Sequence, residues 1–274
     1  MPKFAANLSM MYAEMPFEQR FEAAAKDGFS AVEFQFAYQL TPQEIAQLLE
    51  AAKQSLILLN APPAGTEPAS IAAAIANGER GTAALLGREA EFRAGLGFAL
   101  RYASTLACPR VHVMAGCMPQ GMEREALQPT YIANLRWAAA QAAPLGITLL
   151  IEPLNQRDVP GYFLNRQDHA HEIVNEVGAP NLKVQMDLYH CQITEGDLAA
   201  KLKAYLPTGR VGHLQIAGVP ERFEPDVGEI NHPYLFDLID ALGYTEPIGC
   251  EYKPARGAVA GSTSAGLGWL KNRR

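Results

Sequence analysis

Apolar residues recur along the chain in short runs, each followed by a longer stretch whose apolar positions repeat at helical spacing. That alternation is the pattern of βα units repeated around a parallel sheet. It predicts eight strands, at residues 4–8, 31–36, 56–60, 110–115, 147–152, 182–187, 211–216 and 247–251. Helices are predicted between them, among others at 17–26, 42–53, 89–106, 130–143 and 233–242. Thr41-Pro42 reads as a capped helix start and Asp27-Gly28 as a helix stop. One long stretch, 61–88, is rich in Pro, Ala and Gly and reads as irregular. A loop of that length in a compact domain is usually functional or disordered.

Eight such units in 274 residues fit one (β/α)8 TIM barrel domain over 1–274. The competing architecture is an open doubly wound sheet. No Gly-x-Gly-x-x-Gly follows the first strand and no P-loop occurs, so the usual nucleotide reasons for an open sheet are missing.

Successive strand residues point to opposite faces, so parity separates barrel interior from the helix-facing side. In the fifth strand Glu152 shares a face with Leu150 and Thr148, opposite Ile147, Leu149 and Ile151. In the sixth, Asp187 goes with Gln185 and Lys183, opposite Leu182, Val184 and Met186. In the seventh, Gln215 goes with His213, opposite Gly212, Leu214 and Ile216. The eighth ends on Glu251 beside Cys250, and the fourth carries His112 opposite Val111 and Val113. Barrel interiors are normally filled by branched apolar side chains, so inward carboxylates carry a desolvation cost unless paired or metal-bound. Taken singly, a strand-end carboxylate more often caps a helix or meets a surface cation. Glu152, Asp187, Gln215 and Glu251 are harder to dismiss, because they end four consecutive strands on the face where barrel enzymes place their chemistry. As oxygen donors they suit Mg²⁺ or Mn²⁺ better than Zn²⁺. His112 reads as structural, and Cys191 and Cys250 as packing residues.

Composition narrows the function classes. The net charge of −6 and the lack of an internal Lys/Arg run argue against a nucleic-acid partner, which needs a basic footprint. Lys271, Arg273 and Arg274 read as a solvated tail. Four scattered cysteines without a Cys-x-x-Cys pair suit a reduced, cytoplasmic compartment. No signal peptide or membrane-spanning run is expected, and a homo-oligomer is left open.

Several strings extend the reading: Phe4-Ala5-Ala6-Asn7-Leu8-Ser9-Met10, Ala31-Val32-Glu33-Phe34, Gly78-Glu79-Arg80-Gly81, Ile151-Glu152-Pro153-Leu154-Asn155, Asp187-Leu188-Tyr189-His190, His213-Leu214-Gln215-Ile216-Ala217 and Ile248-Gly249-Cys250-Glu251-Tyr252-Lys253-Pro254. In these, and nearly end to end, the chain resembles the hydroxypyruvate isomerase family of the xylose-isomerase-like barrels. The resemblance implies Glu152 and Glu251 as acid/base carboxylates, Asp187 and Gln215 as completing a metal site, and His190 and Arg222 as approaching the substrate. The 2-oxo-tetronate isomerases share the opening, the His112-Val113-Met114-Ala115-Gly116 strand and the ending, while 155–164 and 181–190 look more like hydroxypyruvate isomerase. In related ketose epimerases a His stands where Gln215 stands here.

The expected reaction interconverts hydroxypyruvate and tartronate semialdehyde through a metal-stabilised enediolate, with 2-oxo-tetronate isomerisation or ketose epimerisation as alternatives. Glu152 and Glu251 move the carbon-bound proton. The substrate is a small hydroxy-keto acid whose carboxylate needs a cation, for which Arg222, Lys253, Arg80 and Arg88 are candidates. An apurinic-site nuclease of the same superfamily uses several metals and many His ligands, against which stand six histidines and an acidic balance here. A Schiff-base aldolase would need a desolvated strand-end Lys; Lys253 fits that position, whereas Lys183 lies too early in its strand. A non-catalytic sugar-acid binding protein is the remaining alternative.

Overall fold

A computed structural model describes residues 2–271, so Arg273 and Arg274 of the expected tail lie outside the described residues. Eight parallel strands close into a barrel in chain order, with the last pairing back on the first. They are β1 (Phe4–Asn7), β2 (Ala31–Phe34), β3 (Ser55–Asn60), β4 (Arg110–His112), β5 (Thr148–Ile151), β6 (Leu182–Asp187), β7 (Val211–Ile216) and β8 (Ile248–Cys250). The outer layer holds α1 (Phe17–Lys26), α2 (Pro42–Ala52), α3 (Pro68–Ala76), α4 (Glu89–Thr105), α5 (Arg124–Ala142), α6 (Gln167–Val177), α7 (Leu188–Thr194), α8 (Leu198–Tyr205) and α9 (His232–Ala241). Two short helices, α10 (Ser262–Gly266) and α11 (Gly268–Lys271), follow β8. Among the described residues no helix is long and apolar enough to cross a membrane.

Two helix expectations need correction. The stretch 61–88 is not irregular throughout, because α3 forms inside it. Its start is set by Pro68 at the first turn and by a reciprocal cap between Glu67 and Ser70. Helix α5 begins at Arg124 rather than 130 and carries Pro129 in its interior. The proline forfeits one backbone hydrogen bond. Burial of Leu127, Tyr131 and Leu135 along one face outweighs that loss and carries the helix through.

The strand parity holds on the polar side of the barrel. Leu149, Ile151, Leu182, Val184, Met186, Leu214 and Ile216 join the large core between strands and helices. Leu150 instead packs with Ala5, Ala31, Ile57 and Leu58 in a small apolar plug inside the barrel. Gly212 breaks the expectation: a Cβ there would meet Leu150 Cδ2 at 2.7 Å and Lys183 Cβ at 2.8 Å, so it faces Leu150 of the plug. The cause is a register shift in the β6–β7 pairing, with Val184 opposite Val211 but Gln185 opposite His213. A matching shift in β2–β3 puts Glu33 opposite Leu58. Each bulge adds one residue and leaves the next side chains still aimed inward.

Arg110 secures the floor beneath both irregularities. Its guanidinium donates to Gly212 O (3.0 Å), to Ile57 O (3.5 Å) and to Glu246 (2.7 Å). Arg110→Met strips a donor from the carbonyls of both bulges. It should cost about 1–3 kcal/mol in urea unfolding while leaving kcat unchanged, as expected of the face opposite the chemistry. An activity loss at unchanged stability would contradict this structural role.

Candidate active site

The carboxyl ends of the strands open into a cavity of about 660 Å³ lined by Glu152, Glu251, His112, His190, Arg222, Arg80, Lys253 and Tyr189, among others. Ile75 of α3 and Leu154 contribute apolar wall. Asp187 and Gln215 lie beneath, both buried. Glu152 and Glu251 sit one residue past the ends of β5 and β8, where strand parity still points their carboxyls inward. Arg88 is not a wall residue. It is held by Glu79 (2.9 Å) and Glu91 (2.7 Å) at the start of α4, which removes it from the candidate carboxylate partners.

Arg222 ties the two far carboxylates together. Its Nη2 donates to Glu251 Oε2 at 2.5 Å and lies 3.3 Å from Asp187 Oδ2, and its Nε donates to Glu251 O. The guanidinium stacks 4.8 Å from the Tyr189 ring centroid. The residue holds φ at 62°, a region L-residues seldom occupy, so the surrounding contacts impose the conformation. Tyr189 Oη donates to Asp158 (2.8 Å), and Arg157 donates to Tyr189 Oη and to Pro220 O. A network of loop residues therefore braces Arg222 from the rim.

Hydrogen bonding settles which nitrogen of His190 faces the site. The Asn155 backbone N–H donates to Nδ1 (3.2 Å), so the ring proton resides on Nε2. That Nε2 stands 3.8 Å from Asp187 Oδ2 and offers an N–H rather than a lone pair. His112, by contrast, has neither ring nitrogen hydrogen-bonded among the described residues, and its Nδ1 is 3.6 Å from Glu152. It is also among the residues that line the cavity.

Below the cavity lies a polar set that joins Glu33 of β2 and Asn7 of β1 to the inward residues of β6 and β7. Glu33 of β2 is wholly buried, and its Oε1 accepts from Asn7 Nδ2 (2.9 Å) and Gln215 Nε2 (2.6 Å). His213 Nε2 is 2.7 Å from its Oε2. Asn7 also donates to Glu251 Oε1 (3.2 Å), as does Gln35 (2.8 Å), while Gln215 Oε1 accepts from Gln185 (2.6 Å). A signal existed, since Glu33 shares its strand face with Ala31 and stands one residue before the end of β2.

Burial dominates the electrostatics. It raises the Glu152 pKa well above the usual carboxylate range, and the neighbouring charges of Glu251 and Asp187 add to the effect. It pushes Asp187 up to about 7 against the pull of Arg222, and raises Glu251 with the same opposition. Burial disfavours the Arg222 charge too, yet the surrounding carboxylates outweigh it and keep the guanidinium protonated. His190 and His112 are held neutral by burial, His112 with its pKa lowered to about 3.

The donor set fits a hard cation. Ligand atoms of Glu152, Asp187 and His190 lie within 4.8 Å of one another, all buried. Glu152 Oε1 is buried without a hydrogen-bond partner among the described residues, an uncompensated acceptor of the kind a cation would satisfy. With His190 turned to present N–H, the lone pairs this trio offers are the oxygens of Glu152 and Asp187.

Known proteins agree with this architecture. A 2-oxo-tetronate isomerase of Cupriavidus necator is 56% identical over 99% of this chain and 98% of its own. The hydroxypyruvate isomerase of Escherichia coli is 42% identical, covering 98% of each chain. Among solved structures, a Brucella melitensis protein described as an AP endonuclease, family 2, superposes with a TM-score of 0.91 at 45% identity over the full length of both chains. A 3-keto-D-glucoside 4-epimerase of Escherichia coli shares the fold alone, with a TM-score of 0.77 at 19% identity over 99% of each chain. The sequence profile of the xylose isomerase-like TIM barrel family matches residues 21–273, and the chain belongs to that family.

Proposed function

We propose that this chain is an isomerase of small 2-oxo acids, moving a proton between a carbonyl carbon and its hydroxyl-bearing neighbour through an enediolate. The observation that carries the reading is the placement of Glu152 and Glu251 on one cavity from strands three apart, with Arg222 and the His190 N–H beside them. Two carboxyls with raised pKa values, facing one substrate, suit proton removal at one carbon and return at the next. Glu152 and Glu251 exchange those roles with direction. His190 Nε2–H and the Arg222 guanidinium donate to the substrate oxygens on which negative charge builds. Lys253 and Arg80, both on the cavity wall, are placed to receive the substrate carboxylate.

A divalent ion on the oxygens of Glu152, Asp187, Gln215 and Glu251 would supply further charge to the developing oxyanion. Chelation is accordingly expected to abolish most activity, and Mg²⁺ or Mn²⁺ to restore it. Full turnover in protein shown metal-free by elemental analysis would leave these residues as an acid/base cluster only.

For the substrate, the cavity of about 660 Å³ has room beyond a three-carbon acid, and the 56% identity to a 2-oxo-tetronate isomerase exceeds the 42% to a hydroxypyruvate isomerase. These favour a four-carbon 2-oxo-tetronate, with hydroxypyruvate as the shorter substrate that segments 155–164 and 181–190 suggest. The nuclease name of the Brucella relative is not carried over, because a net charge of −6 opposes a phosphate backbone. Specificity constants for hydroxypyruvate and for both 2-oxo-tetronate configurations decide the matter. One added carbon in a pocket is worth only ~1–3 kcal/mol, so measurable turnover of both classes is expected, the tetronate leading. A lead of more than ~100-fold for hydroxypyruvate would overturn the substrate choice while leaving the isomerase intact.

A further inference from the structure

We infer that Glu33 is a positioning residue that fixes the orientation of two amides, Asn7 beside the proposed acid/base Glu251 and Gln215 at the proposed metal site. The inference rests on the acid/base and metal reading above. A carboxylate can only accept hydrogen bonds, so any amide that meets it must present its NH₂ end. Glu33 Oε1 meets two, Asn7 Nδ2 at 2.9 Å and Gln215 Nε2 at 2.6 Å. On the first branch, Ser9 N–H donates to Asn7 Oδ1 (3.1 Å), and the second Asn7 hydrogen goes to Glu251 Oε1 (3.2 Å). On the other, Gln215 Oε1 is turned away from Glu33 and accepts from Gln185 Nε2 (2.6 Å). Glu251 thus receives N–H, and the Gln215 oxygen, which keeps a second lone pair, is the end left for a cation.

The barrel makes room for this arrangement. Glu33 reaches from β2 past β1 and β8 to His213 and Gln215 on β7. The intervening strand carries Gly249, where a Cβ would stand 2.4 Å and 2.5 Å from the two Glu33 oxygens. No side chain at 249 is compatible with the carboxylate in its observed place. Glu33, Asn7, Gln185 and Gln215 do not line the cavity, which separates Glu33 from the residues that meet substrate.

Three variants in the full-length protein test it, with Mn²⁺ binding followed by the loss of the free-ion EPR signal alongside kcat and KM. Glu33→Met fills similar volume without an acceptor, so Gln215 is free to turn its NH₂ toward the ion. Mn²⁺ affinity and kcat should each fall about 10–100-fold, the usual range for groups that orient a ligand, with KM changing less than kcat. Glu33→Gln keeps one acceptor oxygen for the two amides and should recover most of that loss. Gly249→Ala leaves Glu33 chemically intact but displaces it, and should reproduce the Met variant's loss; it also stands in should Glu33→Met not fold by circular dichroism. Wild-type affinity in the Met or Ala variant overturns the inference. So does a Gln variant as impaired as the Met one, which would make charge or volume the operative property. Failure of the wild-type protein to bind Mn²⁺ would overturn the metal reading beneath it instead, so the two failures are distinguishable.

Discussion

Glu152→Gln is expected to lower kcat by at least about 10²-fold, the low end for loss of a general acid/base, without weakening the fold. Stability is spared because the native side chain is poorly compensated: buried, with Oε1 unpartnered among the described residues and two further carboxyls nearby. An amide of the same shape removes the charge, and its NH₂ has His112 Nδ1 close by, which stands 3.6 Å from the present Oε2. The sign of the pH dependence follows. The unfolded chain releases this proton near the ordinary value of 4.5, whereas the folded chain holds it to higher pH. Above pH 4.5 the wild type therefore loses stability as pH rises, until the folded carboxyl also ionises. Chelator-treated Glu152→Gln should lack this component, and its advantage in urea midpoint should widen from pH 4.5 upward. Normal turnover in this variant would remove Glu152 from proton transfer, and an advantage that narrows with pH would contradict the assigned shift.

Arg222→Met should be damaging in both respects. Removing the guanidinium leaves Asp187 and Glu251 facing one another, buried, with their shared cation gone. Breaking a buried pair in this way commonly costs ~3–5 kcal/mol. Asp187 and Glu251 already have raised pKa values, so one of them can take up a proton, which places the expected cost at the lower end. Activity should drop about 10²–10³-fold, as for loss of a donor to a developing oxyanion. Arg222→Lys keeps the charge but neither the two-pronged contact with Glu251 nor the stacking on Tyr189, and should recover stability more than kcat. Equal recovery of both would reduce Arg222 to a counter-ion.

Much of this site was legible from period and parity alone. The strand-end positions of Glu152, Asp187, Gln215 and Glu251 follow from counting along strands whose other face is Leu, Ile, Val and Met. Two kinds of feature escaped that counting. Bulges change parity without a sequence mark beyond a residue such as Gly212, and they place Ile57 and Leu58 together inside the barrel. Partner choice was the other: Arg80 and Arg88 look alike in sequence, yet Glu79 and Glu91 lie within reach of Arg88, whereas Arg80 meets the cavity. Glu33 combines the two, a carboxylate whose role depends on Asn7 of the adjacent β1 and on His213 and Gln215 arriving from β7. Helix α5 shows the limit of local rules, since Pro129 marks a boundary only where no buried face continues through it.

Solvent isotope incorporation tests the central claim most directly. Isomerisation of a 2-oxo-tetronate, or of hydroxypyruvate, is run in D₂O and the product is analysed by NMR before equilibrium is reached. Transfer by Glu152 and Glu251 through an enediolate predicts deuterium at the carbon that receives the proton, because a carboxyl open to the cavity exchanges with solvent. Isomerisation with the original hydrogen fully retained would point to a hydride shift and contradict proton transfer by these two carboxylates.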